Sequence, residues 1–308
     1  MDLRQLRYFV ATAEELHFGR AAERVHIAQP ALSIQIKALE DTLGVQLLSR
    51  TNRVVTLTEA GRLFLKEARR TLEQAQHAAV VARRAGRGEI GRIEIGYSAD
   101  TSYSGVLSGV LRQYKRRVPD VELGLHELHP STQIAQLLEG RIHIGFIASF
   151  VDSPTGKLPP ELDAIRLAEW PLRVALPADH PLAKRSRIPR EALADEPFIV
   201  YVGSDIEQDR SLIQMVVGFM PHVAYEVRSG FSLVSLVGAG LGVAIVPSSV
   251  SSVSIGEHVV YRSISGNTIQ VGTDVVFRRD ADDPAVINFL EIVRPDRHDA
   301  KGKRHGGT

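Results

Sequence analysis

FGRAAERVHIAQPALSIQIKALE, residues 18–40, reads as two short helices joined by a tight turn. Arg20 to Val25 carries small residues, Ala21 and Ala22, on the side that would meet another helix. His26-Ile27-Ala28 is the expected turn. Gln29 then stands where an N-cap would, and Pro30 at the first helical position, where its missing N–H costs nothing. Leu32, Ile36 and Leu39 recur at helical spacing as an apolar face. Ser33, Gln35 and Lys37 lie opposite, short or flexible polar groups suited to base edges and phosphates. This is the pattern of a helix-turn-helix whose second helix enters the DNA major groove. Arg20, Gln29, Pro30, Ser33, Gln35 and Lys37 are its candidate contacts.

On either side of this unit the chain supplies its supports. Leu3 to Leu16 reads as a first helix, with Leu6, Phe9, Val10 and Ala13 among its core face. Gly44 stops the recognition helix. Val45 to Leu57 reads as a short hairpin, or wing, with Arg50, Asn52 and Arg53 at its tip. Arg50 and Arg53 would lie against phosphate or reach into the minor groove. Thr58 caps a proline-free segment running to about Arg84. Along it Leu65, Ala68, Leu72, Ala75, Ala79 and Ala82 alternate steps of three and four. That heptad seam suits close packing against the same helix of a second subunit, with packing on its own body as the alternative. Gly86 to Gly91 is the expected hinge.

From Arg92 the pattern changes to alternating strands and helices, an α/β arrangement with parallel strands. Pro159-Pro160 punctuates entry into a second lobe, where Ala164–Glu169 and Leu172–Leu176 read as two strands. Ser98, Asp100, Thr101 and Ser102 follow the carboxyl end of the first body strand, the usual ligand position in open α/β sheets. Ser131 and Thr132 open a helix, where hydroxyls and free N–H groups favour an anion or simply cap the helix. Gly238-x-Gly240-x-Gly242 precedes a strand, so it is no dinucleotide loop. Ser232 lacks the second glycine of a nucleophile elbow, and His126 and His129 would point to opposite faces of a strand. No catalytic residue, metal site or cofactor is expected.

Composition bounds the class. The 308 residues are 44% hydrophobic and 24% charged, an ordinary folded composition long enough for more than one domain. Cysteine is absent, which removes disulfides and thiolate chemistry. No apolar run approaches the roughly 20 residues of a membrane span. MDLRQLRYFV lacks the layout of a signal peptide, so a cytoplasmic location is expected. The net charge of +1 hides an asymmetry: residues 1–92 hold 15 Lys+Arg against 10 Asp+Glu, the remainder 22 against 26. A basic module on an acidic body fits polyanion binding by the first.

Leu6-Arg7-Tyr8-Phe9, Ala21-Ala22, Gln29-Pro30-Ala31-Leu32-Ser33, Leu43-Gly44-Val45 and Leu57-Thr58-x-x-Gly61 resemble the LysR-type transcriptional regulators. Leu138 to Ile142, Gly145-Phe146, Asp179 to Leu182 and Val237 to Pro247 extend the resemblance in the family's order. MDLRQLRYFV, IAQPALS and EGRIHIGF look closest to its aromatic-catabolism branch. The resemblance implies a winged helix-turn-helix over residues 1–58, rich in helix, and a linker helix over 59–88. It implies an α/β effector domain of two lobes, like a periplasmic binding protein, over 92–295. Lobe 1 would span about 92–162 and 268–295, lobe 2 about 163–267, with a disordered tail over 296–308. A small organic effector would bind between the lobes, and Phe146, Tyr201 and Phe231 join the hydroxyls above as its candidate contacts. Double-stranded DNA, a dimer of dimers and RNA polymerase are the implied partners, with no membrane. Departures bear on this: Ile34 replaces a frequent arginine, Ala148 an arginine that grips carboxylates, and Pro130 a threonine. Ala148, Pro130 and the charge of Asp100 disfavour a dicarboxylate effector, and Ile34 removes one phosphate contact expected of the recognition helix. A solute-binding protein, or an α/β enzyme, is the alternative reading.

Overall fold

The computed structural model describes residues 1–50, 55–150, 158–202, 213–252 and 258–294. The chain divides into two compact units, Met1–Arg84 and Ala85–Thr308.

In the first unit, α1 (Leu3–Glu15) opens on a reciprocal cap: the Asp2 carboxylate accepts from Gln5 N–H at 2.8 Å and the Gln5 side chain from Asp2 N–H at 3.1 Å. α2 (Phe18–Arg24) is capped by the His17 ring, which accepts from Arg20 N–H. Ala21 and Ala22 are buried, and their small side chains allow the close approach that a larger residue would block. α3 (Gln29–Leu43) follows a turn in which His26 takes a left-handed φ of 54°. The helix starts one residue earlier than the sequence suggests. Ala28 is the N-cap, without a side-chain hydrogen bond, and Gln29 already has helical geometry. Gly44 ends α3 at φ 67°, as expected of a residue without a Cβ. β1 (Leu48–Arg50) and β2 (Val55–Leu57) pair antiparallel, Leu48 opposite Leu57, as the stem of the expected hairpin; its tip lies outside the described residues.

Leu32, Ile36 and Leu39 are fully buried with Phe9 and Leu47 in one core, so the helical spacing does define the inward face. α4 (Glu59–Gly86) is capped by the Thr58 hydroxyl, which accepts from Gly61 N–H at 2.9 Å. Its seam divides. Ala68 is buried and Leu65 and Leu72 are partly covered by this core, whereas Ala79 and Ala82 are exposed.

In the second unit the sheet is mixed. β3 (Gly91–Tyr97) lies parallel between β4 (Val121–Glu127) and β5 (Ile144–Phe150), the parallel core expected from strand–helix alternation. α6 (Val106–Arg117) and a terminal helix over Pro284–Val293 cover it, with Tyr114, Phe146 and Phe289 at the centre of the cluster. α5 (Ala99–Tyr103) and α7 (Pro130–Leu138) follow β3 and β4.

The two strands expected near 164–176 are one. β6 runs unbroken over Leu162–Pro177, because Trp170-Pro171 continues the extended backbone instead of turning it. Its first part pairs antiparallel with β12 (Gln270–Arg278), from Leu162 opposite Arg278 to Pro171 opposite Gln270. Its second part pairs with β10 (Ala244–Pro247) and β11 (Val259–Ile264), and β7 (Arg187–Ile188) adds to β11. The strand thus belongs to both lobes, and the chain returns between Ile264 and Gln270. A separate parallel pair, β8 (Pro197–Tyr201) and β9 (His222–Val227), and the helix α8 (Gly230–Gly238) complete the second lobe. The helix expected near 210–219 is described over 213–217, and the tail after 294 lies outside the described residues.

Candidate functional site

Two surfaces assemble the candidate residues, one in each unit. On α3 the exposed stripe is Gln29, Pro30, Ala31, Ile34 and Lys37, opposite the buried Leu32, Ile36 and Leu39. Ser33 and Gln35 are half-buried at its flanks. Ile34 is 66% exposed at the centre of this face, a hydrocarbon between Pro30 and Ala31 on one side and Lys37 on the other. Ala28 offers no capping side chain, and Pro30 in the first turn has no N–H to cap. Lys37 has no ion partner among the described residues. Arg20 is different: its guanidinium donates to the Glu15 carbonyl at 2.7 Å, which ties it back to the end of α1. The Arg50 side chain and Arg53 lie outside the described residues.

Sequence reading missed two acids that hold this surface. Glu40, on the last turns of α3, accepts from the N–H groups of Leu47 (2.8 Å) and Leu48 (3.0 Å), fixing the wing to the recognition helix. Glu14 joins Arg24 (2.6 Å) and Arg69 (2.7 Å), linking α1 to α2 and α4. Burial pushes the Glu14 carboxyl up, but the hydrogen bonds from Arg69 and Arg24 outweigh it and hold it below the ordinary value.

In the second unit, Ser98 follows β3 and sits at the start of α5 with its Oγ buried and without a partner among the described residues. Its N–H donates to the Phe146 carbonyl at 3.2 Å. Thr101 is fully buried, its hydroxyl spent on the Ser98 carbonyl at 2.7 Å. Ser102 is exposed; Asp100 is helical, and its side chain is outside the description.

Gln133, unremarked in the sequence, is the residue that completes this corner. It is fully buried on α7, its Nε2 donating to the carbonyls of Leu128 (3.0 Å) and Phe146 (3.3 Å), while its Oε1 has no partner. An amide on an otherwise apolar helix face was the available signal. Gly96 and Gly145 leave it room: a Cβ at either would approach the Gln133 side chain to 3.1 or 3.0 Å.

Ser131 and Thr132 are exposed, and neither caps α7. The cap is His129, whose Nδ1 accepts from Ser131 N–H at 3.3 Å, so His129 has left the strand on which it was expected. His126 remains on β4 and bonds Glu94 at 2.6 Å. Phe146 contributes only its carbonyl. Its ring is buried in the lobe core, edge-on to Phe289, so it is withdrawn from any cleft. Tyr201 is half-buried against the second lobe's core, and Phe231 is 48% exposed. Phe231 meets Tyr103 of α5 edge-on at 5.0 Å, an aromatic contact from one lobe to the other. Beside the β6 crossing, Arg166 bonds Asp274, Glu169 and Ser149. The hydrogen bond to Asp274 raises the Arg166 guanidinium further above its ordinary value.

Among the described residues no group of three or more His, Asp or Glu is arranged to hold a metal ion, and no helix is long and apolar enough to cross a membrane.

The family descriptions "Bacterial regulatory helix-turn-helix protein, lysR family" and "LysR substrate binding domain" match residues 3–62 and 86–297. The chain belongs to the LysR family of transcriptional regulators. This regulator is 40% identical over 260 residues to the Escherichia coli HTH-type transcriptional regulator YnfL, covering 83% of this chain and 86% of that one. It is 35% identical over 300 residues to the E. coli Hca operon transcriptional activator HcaR, covering 96% and 97%. Its structure matches full-length CbnR, solved with its target DNA, at a TM-score of 0.80 and 30% identity over 96% of this chain and 99% of that one. The regulator is therefore an N-terminal helix-turn-helix followed by a two-lobed α/β effector domain, and it is a DNA-binding transcriptional regulator. The relatives lend no support to a transport protein or an α/β enzyme, and at the level of the family they point away from catalysis.

Proposed function

We propose that this regulator acts in the cytoplasm as a homo-oligomer whose DNA affinity or geometry is set by a small organic molecule held between its lobes. The observation that carries the effector site is the pair of buried, unpartnered oxygens, Ser98 Oγ and Gln133 Oε1. Ser98 N–H and Gln133 Nε2 share the Phe146 carbonyl, which sets both residues beside the carboxyl end of β3, where Tyr97 pairs with Phe146 near the start of β5. Buried polar atoms without partners are rare in native proteins, and in an open α/β sheet this edge is where ligands sit. Ser102, Ser131, Thr132, Tyr201 and Phe231 are the remaining candidates for the proposed mouth, with Tyr103 added and Phe146 reduced to its backbone. The buried Thr101 supports Ser98, and Asp100 is kept as a candidate by its position in the chain alone. The resemblance to the aromatic-catabolism branch suggests an aromatic acid or a product of its breakdown.

DNA contact falls to Gln29, Pro30, Ser33, Gln35 and Lys37 on α3, with Arg50 and Arg53 on the wing and Arg20 in support. Ile34 supplies an apolar contact of the kind that reads a thymine methyl. The domain plan stays as residues 1–58, 59–88 and 92–295. The exposed alanines of α4 fit pairing with a second subunit, then a dimer of dimers, and RNA polymerase is the downstream partner.

The test is a thermal-shift screen of aromatic acids and catabolites on the full chain, repeated with Ser98→Ala and Gln133→Ala. A compound that raises the wild-type melting temperature but neither variant's is expected. A compound that stabilises all three equally would place the effector elsewhere. In mobility-shift assays Gln29→Ala and Ser33→Ala should each weaken specific binding, and unchanged binding by both would sink the docking of α3.

A further inference from the structure

Lobe 2 carries a second concavity, apart from Ser98 and Gln133, on the face where β6 and β11 meet the segment after the Pro181–Lys184 turn. Arg173 from β6, Arg262 from β11, and Lys184 and Arg185 line an open volume of about 360 Å³. Four basic residues contribute to its wall, and no acidic residue does so among the described residues. A concavity walled by basic residues is an electrostatically favourable place for an anion.

The cations are also differently prepared. Arg262 is held by the protein's own carbonyls, Nε donating to Ala183 at 2.9 Å and Nη1 to Tyr261 at 3.0 Å. Its Nη2 has no acceptor among the described residues. Arg173 Nε is buried and has no hydrogen-bond partner among the described residues. A buried guanidinium N–H left unpaired is costly and calls for an acceptor. Lys184 and Arg185 are exposed and make no described ion pair, so they can close on a ligand. The hydroxyls of Ser186 and Ser263 add neutral donors at the wall. Burial raises the Tyr261 phenol, so it stays protonated and adds no competing negative charge.

We infer that this concavity binds a small phosphate-type polyanion, the phosphoryl group of a metabolite or pyrophosphate. Guanidinium forks match phosphate oxygens in pairs, and four cations exceed what one carboxylate would use. The volume is within the range of small-molecule sites, roughly 300–1,000 Å³, and so leaves room for more than a bare phosphate.

The probes are pyrophosphate, orthophosphate and acetate, titrated calorimetrically into the full-length protein at constant ionic strength. The variants are Lys184→Gln/Arg185→Gln, both exposed and without side-chain hydrogen bonds among the described residues, and Arg173→Gln. Lys37→Gln controls for anion binding by the DNA-binding unit. Saturable pyrophosphate binding is expected in the wild type and in Lys37→Gln, with acetate much weaker. The double variant should bind roughly tenfold or more weakly, the effect of removing charge-assisted donors. Absence of saturable binding, or equal affinity in the double variant, overturns the inference. So does the opposite pattern, in which the double variant leaves pyrophosphate binding intact and instead weakens DNA binding, because the patch would then serve the duplex backbone.

Discussion

Replacing Glu40 by alanine tests whether the wing is a part of the recognition surface or merely adjacent to it. The carboxylate Oε1 is the acceptor for both Leu47 and Leu48 N–H, and those residues are 1% and 2% exposed. Truncation therefore strands two donors that water reaches poorly. Hydrogen bonds to a charged group contribute about 1.5–3 kcal/mol each, and sharing one oxygen makes them less than additive. A combined loss of about 2–4 kcal/mol follows, or an increase of some 30- to 900-fold in the population of the opened hairpin. Hydrogen exchange across residues 45–50 measures that population directly. Glu40→Ala should exchange faster there and leave α1 and α2 close to wild type. Glu40→Gln keeps an acceptor oxygen and should fall between. If Glu40→Ala exchanged at the wild-type rate, the link from α3 to the wing would not be this carboxylate.

Gly61→Ala should destabilise the N-terminal unit by several kcal/mol, because the added Cβ collides with the Leu47 carbonyl, a backbone atom that cannot move away. Gly86→Ala, on the same helix, meets nothing within 4 Å and should be neutral or stabilising by up to about 1 kcal/mol; thermal melting of the pair checks both. Acid should weaken this unit through Glu14. Its carboxyl titrates lower folded than unfolded, so its contribution is full above the ordinary 4.5 and is lost as pH falls through the folded value. Glu14→Gln should flatten the dependence of the urea midpoint on pH below about 4.5, and an unchanged slope would discount the carboxylate. Tyr103→Ala removes the edge-on contact with Phe231 and should speed exchange in both α5 and α8; acceleration confined to α5 would show that the ring does not couple the lobes.

The parts of this protein legible in its sequence are those written in short-range pattern. The apolar spacing of Leu32, Ile36 and Leu39 gave the inward face of α3, and Gly44 and Thr58 gave helix ends from local chemistry alone. Gln29 misled because an N-cap is defined by backbone angle, and Ala28 takes the extended conformation without a side chain to advertise it. Trp170-Pro171 read as a break because proline removes a donor, yet strand pairing with Gln270 tolerates it. Phe146 was placed at a cleft by family order, and its inward direction depends on β-strand alternation against Phe289, residues far apart in sequence. Gln133 and the Arg173 cluster escaped for the same reason. Each acquires meaning only from what the fold does not put beside it.

The unbroken β6 gives the effector domain a torsion bar instead of a swivel. Two lobes joined by loops can rotate almost without cost, and their closure is then fixed by the ligand alone. Here one link is a strand hydrogen-bonded along both halves, and the other is the short run from Ile264 to Gln270. Relative motion has to wind the strand, whose pairing with β12 shifts register between Thr273 and Asp274. A molecule bound beside Ser98 would work against an elastic element, so its signal would be an angle held under load and released when it leaves.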